Sequence, residues 1–189
     1  MLTNLGLKEW AIVITALDRG EQVILLRKGG IAEKGFDIKG KIFLFYPTYF
    51  HEMNKHVVAK YQDLLQETSA DVKEEAVTIT NWAILDEVIL TKDLDAVLKF
   101  SDHYVYEASY LKNRFDWLSE KPMNVLFTRV YRLGQPIVIP VMGYYRGCKS
   151  WVDLVEHIKL ENSAPVLNDE EFEARKKEIK ALLYTSKII

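Results

Sequence analysis

Two β-rich runs in the second half of the chain, MNVLFTRVYRL and IVIPVM, are separated by only Gly134, Gln135 and Pro136. Three residues containing glycine and proline leave no room for a helix, so the spacing predicts an antiparallel hairpin. In the first run Val125, Phe127, Arg129 and Tyr131 share one face, and Leu126, Thr128, Val130 and Arg132 share the other. Upstream, AVTITNWAILDEVIL reads as a long or bent strand with Asn81 at a bulge or turn. QVILLRK and KIFLFYPTYF read as two strands joined by a loop from Gly29 to Gly40, with Pro47 ending or edging the second.

The remaining segments follow helical spacing. NLGLKEWAIVITALDRG places Trp10, Ile14 and Leu17 on one stripe with Gly20 as a stop, which predicts a largely buried helix. Met53, Val57, Tyr61, Leu64 and Leu65 predict a second over 51–66, followed by a polar loop, ETSADVKEE. Short helices are expected in TKDLDAVLKF, with Thr91 as cap, and in EASYLKNRFDWL; a further one is expected in SWVDLVEHIKL. After the linker NSAPVLN, Asn168 and Glu171 form a capping-box signature for a final helix with acids early and lysines late. Strands do not alternate with single crossover helices, so a doubly wound α/β sheet is disfavoured. The expected architecture is α+β: a strongly bent, mostly antiparallel sheet or small barrel with flanking helices. Residues 1–161 form one domain in this reading, and 162–189 form a linker and a helix packed as an appendage.

At 189 residues and 49% hydrophobic, the chain can bury a core without disulfides or metals. Cys148 is its one cysteine, which excludes a disulfide framework and fits a reducing, cytoplasmic setting. MLTNLGLKEW lacks a basic segment followed by an apolar run, and no window approaches the roughly 18 apolar residues of a membrane span. A formal net charge of −2 argues against a general nucleic-acid binder, but the distribution is uneven. From Lys121 to Val152 the chain carries Lys121, Arg129, Arg132, Arg146 and Lys149 and no acid; the segment from Arg19 to Tyr61 is also net basic. Residues 62–120 hold thirteen acids against five bases. If the two basic segments meet in space, they make one cationic face.

LKEWAIVITALDRGEQVILLRKGGI, FYPTYFHE, PMNVLFTRVYRL and GCKSWVDL, in that order and over nearly the whole chain, resemble an uncharacterised bacterial and archaeal domain family of unknown function. The resemblance implies no activity. Between Val77 and Pro140 the order of elements is also similar to barrels of the PUA-like class, which includes the ASCH and EVE domains; that likeness implies binding of RNA or modified bases.

Three motifs carry candidate chemistry. In LLRKGGI, amides at Gly29 and Gly30 are suited to cradle a phosphate beside Arg27 and Lys28, or the glycines simply make a turn. No Walker or GxGxxG pattern accompanies them. FYPTYFHE offers Tyr49 for base stacking and His51 as an acid or base, against the alternative of core aromatics and a helix-start histidine. YYRGCKSW places Arg146, Lys149 and Ser150 at an expected helix start, where free amides attract anions, with Trp151 to stack on a base or anchor the helix. Cys148 has no identified histidine partner, so a structural role outweighs a nucleophilic one.

The reading that follows is a nucleic-acid or nucleotide binding module, needing no cofactor, whose partner is RNA, DNA or a nucleotide. Two alternatives stand beside it. A PD-(D/E)xK-like nuclease would use Asp37 and Lys39 of FDIKGK with Asp18 or Glu9 as the earlier acid. A protein adaptor would expose Phe172, Ile179 and Leu183 along the last helix. His51, His56, His103 and His157 lack ligand spacing, so no zinc site is expected.

Overall fold

The computed structural model describes residues 1–29, 35–49, 53–70 and 75–185. Its elements run β1 (Leu2–Trp10), α1 (Ala11–Asp18), β2 (Ile24–Arg27), β3 (Ile42–Thr48), α2 (Gln62–Ala70), β4 (Ala76–Thr91), α3 (Leu94–Leu98), α4 (Ala108–Asp116), β5 (Met123–Pro140), β6 (Trp151–Lys159), β7 (Ala164–Pro165) and α5 (Asp169–Tyr184). The class is α+β. The sheet has order β2-β5-β4-β3-β1-β6, with β7 added to β5. It is mixed, because β1 and β3 run parallel while the other pairs are antiparallel. Among the described residues no helix is long and apolar enough to cross a membrane.

Several local expectations change, among them the cap of α3, which is Asp93 instead of Thr91. The first expected helix divides, and only its second half, α1, is helical. β1 lies between β3 and β6, whose ladders on both edges hold it as a strand, and the densest apolar run falls in α1; Trp10 turns the chain directly into α1 without a loop. Gly20 does end the helix at φ 67°, and a Cβ there would meet Leu167 at 2.7 Å. The expected hairpin is one continuous strand, β5, paired with β4 from Thr91↔Met123 to Ala76↔Pro140. Gly134 to Pro136 bulge out at the register shift between Ile79 and Asn81, because the long β4 supplies a ladder on both sides of them. That shift is also the irregularity expected at Asn81.

SWVDLVEHIKL is strand β6 instead of a helix. Val152 and Leu154 are buried while Asp153 and Val155 are exposed, a period of two imposed by pairing with β1. The helix expected over 51–66 is replaced, where described, by 3-10 turns at Met53–Lys55 and Ala59–Tyr61 leading into α2.

The two faces of the sheet carry separate cores, as the alternation of Phe43 and Phe45 with Leu44 and Tyr46 along β3 shows. The larger, against the helices, includes Leu7, Ile12, Leu25, Phe43, Leu126 and Phe127; the smaller joins Leu44, Tyr46, Ile79 and Trp82 to Leu154 and Ile158 of β6. The sheet does not close into a barrel, since its edge strands β2 and β6 share no ladder, and neither do β1 and β2. They nevertheless approach: Arg27 of β2 donates to the Lys8 carbonyl of β1 at 3.2 Å. The open seam between these strands is where the candidate site lies.

α5 begins at the expected capping box, with Asn168 accepting from the Glu171 amide at 2.9 Å and Glu171 accepting from the Asn168 amide at 3.1 Å. Phe172, Ile179 and Leu183 are buried in the larger core, so they form no exposed adaptor stripe. Beside them runs an ionic staple. Arg129 pairs with Asp86 at 3.0 Å, Asp169 at 2.6 Å and Glu173, while Lys176 bridges Asp86 and Glu87 and Lys180 holds Glu87.

Burial alone would push the Asp86 carboxyl up, but hydrogen bonds from Lys176 and Arg129 hold it below its ordinary value. Hydrogen bonds from Lys176 and Lys180 likewise hold Glu87 down. Depressed carboxyl pKa values contribute stability that is present above the unfolded value, about 4, and lost as pH falls through the folded values. The melting temperature should therefore fall below about pH 4. Asp86→Asn should flatten that acid limb and lower neutral-pH stability by roughly 1 kcal/mol, a figure kept small by partial exposure. Thermal unfolding followed across pH checks both.

Candidate functional site

At the seam, a cleft of about 290 Å³ is bounded by the ends of β1, β2 and β3, the segment before β6, and α4. Among the described residues, Lys8, Arg27, Arg114 and Lys149 line it against a single carboxylate, Glu9. The two basic segments of the sequence therefore meet here: Arg27 and Gly29 come from one, Lys149 and Ser150 from the other. β1 contributes through its carboxyl end, where Glu9 is 3% exposed and accepts from Arg27 at 3.1 Å and from the Trp10 amide at 2.8 Å.

Lys8 ties the far wall in place, its Nζ donating to the carbonyls of Tyr145 at 2.6 Å and Gly147 at 2.9 Å. Burial, reinforced by the charge of Lys149, lowers the Lys8 pKa. A bound anion would relieve that repulsion. The side chains of Lys149 and Arg146 make no hydrogen bond or ion pair with the described residues, so both are available to an anion. Arg146 stands in sequence between the two residues whose carbonyls Lys8 holds, but it is not one of the residues lining the cleft.

Aromatic side chains form the remaining wall. Trp10 packs on Tyr106 and Tyr110 at centroid distances of 5.4 and 5.0 Å, and Tyr106 stacks on Tyr110 at 5.2 Å. Burial pushes both phenols above their ordinary pKa, that of Tyr106 further still through the Glu9 charge, so they stay neutral hydroxyls near pH 7. Tyr49 is 38% exposed at the rim. These tyrosines and Cys148 give the cleft polar and aromatic surface beside its cations.

The expected site residues divide. Arg27, Gly29, Tyr49, Lys149 and Ser150 come together in the cleft. Lys28 does not: it is 2% exposed, and its Nζ donates to the Phe115 carbonyl at 2.6 Å, fastening β2 to α4. Gly29 sits at φ 98°, and a Cβ there would lie 2.5 Å from the Gly35 carbonyl oxygen. Its own carbonyl accepts from Arg114 at 2.8 Å. Ser150 cannot act as a helix cap, since a strand follows it and its carbonyl accepts from the Lys8 amide at 2.8 Å. Trp151 is buried, donating to the Asp37 carbonyl at 2.7 Å and packing on Phe36 and Phe43, so it anchors the core instead of stacking on a base. Gly30 and His51 lie outside the described residues.

Lys8, Trp10, Tyr106, Tyr110 and Arg114 went unread as site residues. One signal for two of them was present: Tyr110 and Arg114 stand four apart on a helix and so share a face. The nuclease geometry does not assemble. Asp37 and Lys39 lie outside any strand, and Asp18 binds Arg132 at 2.8 Å and Asn81 at 2.7 Å, away from the cleft. Among the described residues no group of three or more His, Cys, Asp or Glu is placed to hold a metal ion.

No curated protein and no solved structure matches this chain. A family model, described as a domain of unknown function (DUF1802), matches residues 6–178, a span that takes in every side chain of the cleft. The chain belongs to this family, DUF1802.

Proposed function

We propose that the protein is a binding module for a phosphate-bearing ligand, a nucleic acid or nucleotide, held in the cationic cleft. The observation that carries this reading is the meeting of two basic segments, more than a hundred residues apart, on one concave surface with exposed aromatic groups. Among the described residues, four cations facing one carboxylate focus positive potential despite the negative net charge of the whole chain. Phosphate contacts fall to Lys149, Arg146 and the free edge of Arg114, with Arg27 positioned by Glu9. Tyr49 and the exposed edge of Tyr110 offer base contact.

Fluorescence anisotropy of labelled single-stranded RNA, single-stranded DNA, duplex DNA and a mononucleotide, at two salt concentrations, tests it. The expected result is salt-sensitive binding. Arg146→Ala combined with Lys149→Ala should weaken polymer binding about tenfold at low salt and reduce the log–log salt slope by roughly 1.4 for a single strand. Neither side chain holds the fold, so the variant's melting temperature should stay that of wild type. Absence of binding by all four probes at low salt would overturn the reading.

A further inference from the structure

Tyr106, on the aromatic wall of the cleft, carries a polar group without a partner. The residue is 4% exposed, and its hydroxyl makes no hydrogen bond with the described residues. That hydroxyl is not sealed off. Among the described residues the unpaired side-chain polar atoms cut off from solvent are Gln22 Oε1 and Thr128 Oγ1, neither of them at the cleft. Tyr106 lines the cleft, so its hydroxyl is reached from there. The ring is fixed by packing on Trp10, Tyr110 and Tyr104, and its backbone bridges to Val57. Burial keeps the phenol protonated near pH 7, which makes it a positioned neutral donor. A polar group left unpaired at such depth is costly, and a ligand acceptor removes that cost.

The neighbouring charges define the acceptor. Those that bear on the Tyr106 hydroxyl are Glu9, Arg27 and Arg114. Glu9 is already engaged by Arg27 and by the Trp10 amide. Toward the described residues Arg27 donates through Nη1 alone and Arg114 through Nη2 alone, which leaves spare donor nitrogens on both guanidinium groups. Two cations with spare donors beside a fixed hydroxyl suit a group that has several acceptor oxygens and more than one negative charge. A phosphomonoester has both, with three terminal oxygens and a charge of about −1.5 to −2 at pH 7, whereas the phosphodiester inside a strand offers fewer oxygens and a single charge. Size points the same way. The cleft, about 290 Å³, lies at the foot of the range for small-molecule sites, about 300–1,000 Å³, while a groove that tracks a single strand spans about 4–16 nucleotides.

Building on the reading of the cleft as a phosphate site, we infer that it seats a terminal phosphomonoester, either of a free mononucleotide or at the phosphorylated end of a strand. The Tyr106 hydroxyl and the spare donors of Arg27 and Arg114 hold the terminal oxygens. Lys149 and, outside the cleft, Arg146 are left for the phosphodiester that follows in a strand.

Titration calorimetry on the full chain tests this without a label on the ligand. The probes are short single strands of RNA and DNA with a 5′-phosphate, a 3′-phosphate or hydroxyls at both ends, together with adenosine monophosphate and adenosine. A phosphorylated probe should bind at least tenfold more tightly than its hydroxyl counterpart. Tighter binding of the phosphorylated strand than of the mononucleotide identifies a strand end as the ligand, and the reverse order identifies a free nucleotide. Tyr106→Phe should weaken the phosphorylated probe about tenfold and leave the hydroxyl-ended one unchanged, because a donor to a charged oxygen is lost. Its melting temperature should match wild type, since the hydroxyl it removes makes no bond in the free protein. A general attraction to the extra charge would instead survive in Tyr106→Phe. Equal binding of phosphorylated and hydroxyl-ended probes, or a folded Tyr106→Phe variant that keeps the full preference, would overturn the inference and leave the cationic cleft as a general phosphate site. Absence of binding by every probe would overturn both.

Discussion

Replacing Trp151 by alanine should destabilise the protein by about 3–5 kcal/mol, the usual range for emptying a large aromatic site in a core. Trp151 is 4% exposed and stacks on Phe36 with a centroid distance of 5.8 Å, with Phe43 edge-on at 5.4 Å. Its Nε1 also closes a bond to the Asp37 carbonyl, tying the segment before β3 to the first residue of β6. The alanine variant loses packing and strands that carbonyl together. Trp151→Phe loses the bond and only part of the ring packing, so its cost should be smaller, roughly 1–2 kcal/mol. Urea denaturation of the three proteins measures both differences. A base-stacking tryptophan would give the opposite pattern, with stability unchanged and nucleic-acid affinity lost; that outcome would reverse the structural assignment of this residue.

Features set by short-range chemistry were legible in the sequence. The capping box at Asn168, the glycine stop at Gly20, the bulge near Asn81 and the α+β class all follow from local patterns, and the structure has each of them. What was not legible depends on distant partners. β1 and β6 looked helical because chance apolar spacing imitates a helix, whereas what makes them strands is pairing with distant residues, β1 with β3 and β6, and the edge strand β6 with β1. The supposed hairpin failed because Gly134 to Pro136 are accommodated as a bulge when β4, some fifty residues earlier, supplies the pairing strand on either side. The site was partly visible in the same sense. Basic segments could be marked, but their meeting requires the sheet to curl until β2 faces β1 across an open seam. Lys28 and Arg27 are adjacent in sequence and have opposite fates for this reason: alternation along β2 sends one to α4 and the other to the seam.

That seam is held by an ion pair whose disruption should be costly in one direction only. Arg27→Met is expected to destabilise by about 3–5 kcal/mol, because the Glu9 carboxylate, 2% exposed at its side chain, loses its partner while staying buried. Glu9→Gln added to Arg27→Met removes the stranded charge and should recover most of the loss, since an uncharged pair of similar shape has no such penalty. Glu9→Gln alone leaves Arg27 charged but 16% exposed, near enough to solvent and to the cleft to find water or a ligand oxygen, so its stability cost should be smaller. It also removes the carboxylate that, among the described residues, faces four cations, and should therefore strengthen salt-sensitive binding of an anionic probe. Denaturation of the double-mutant cycle gives the coupling energy, and anisotropy on Glu9→Gln gives the sign of the electrostatic change. If Glu9→Gln weakened binding while the cycle still showed strong coupling, the carboxylate would be orienting Arg27 toward the ligand, and pairing at the seam would serve geometry more than charge.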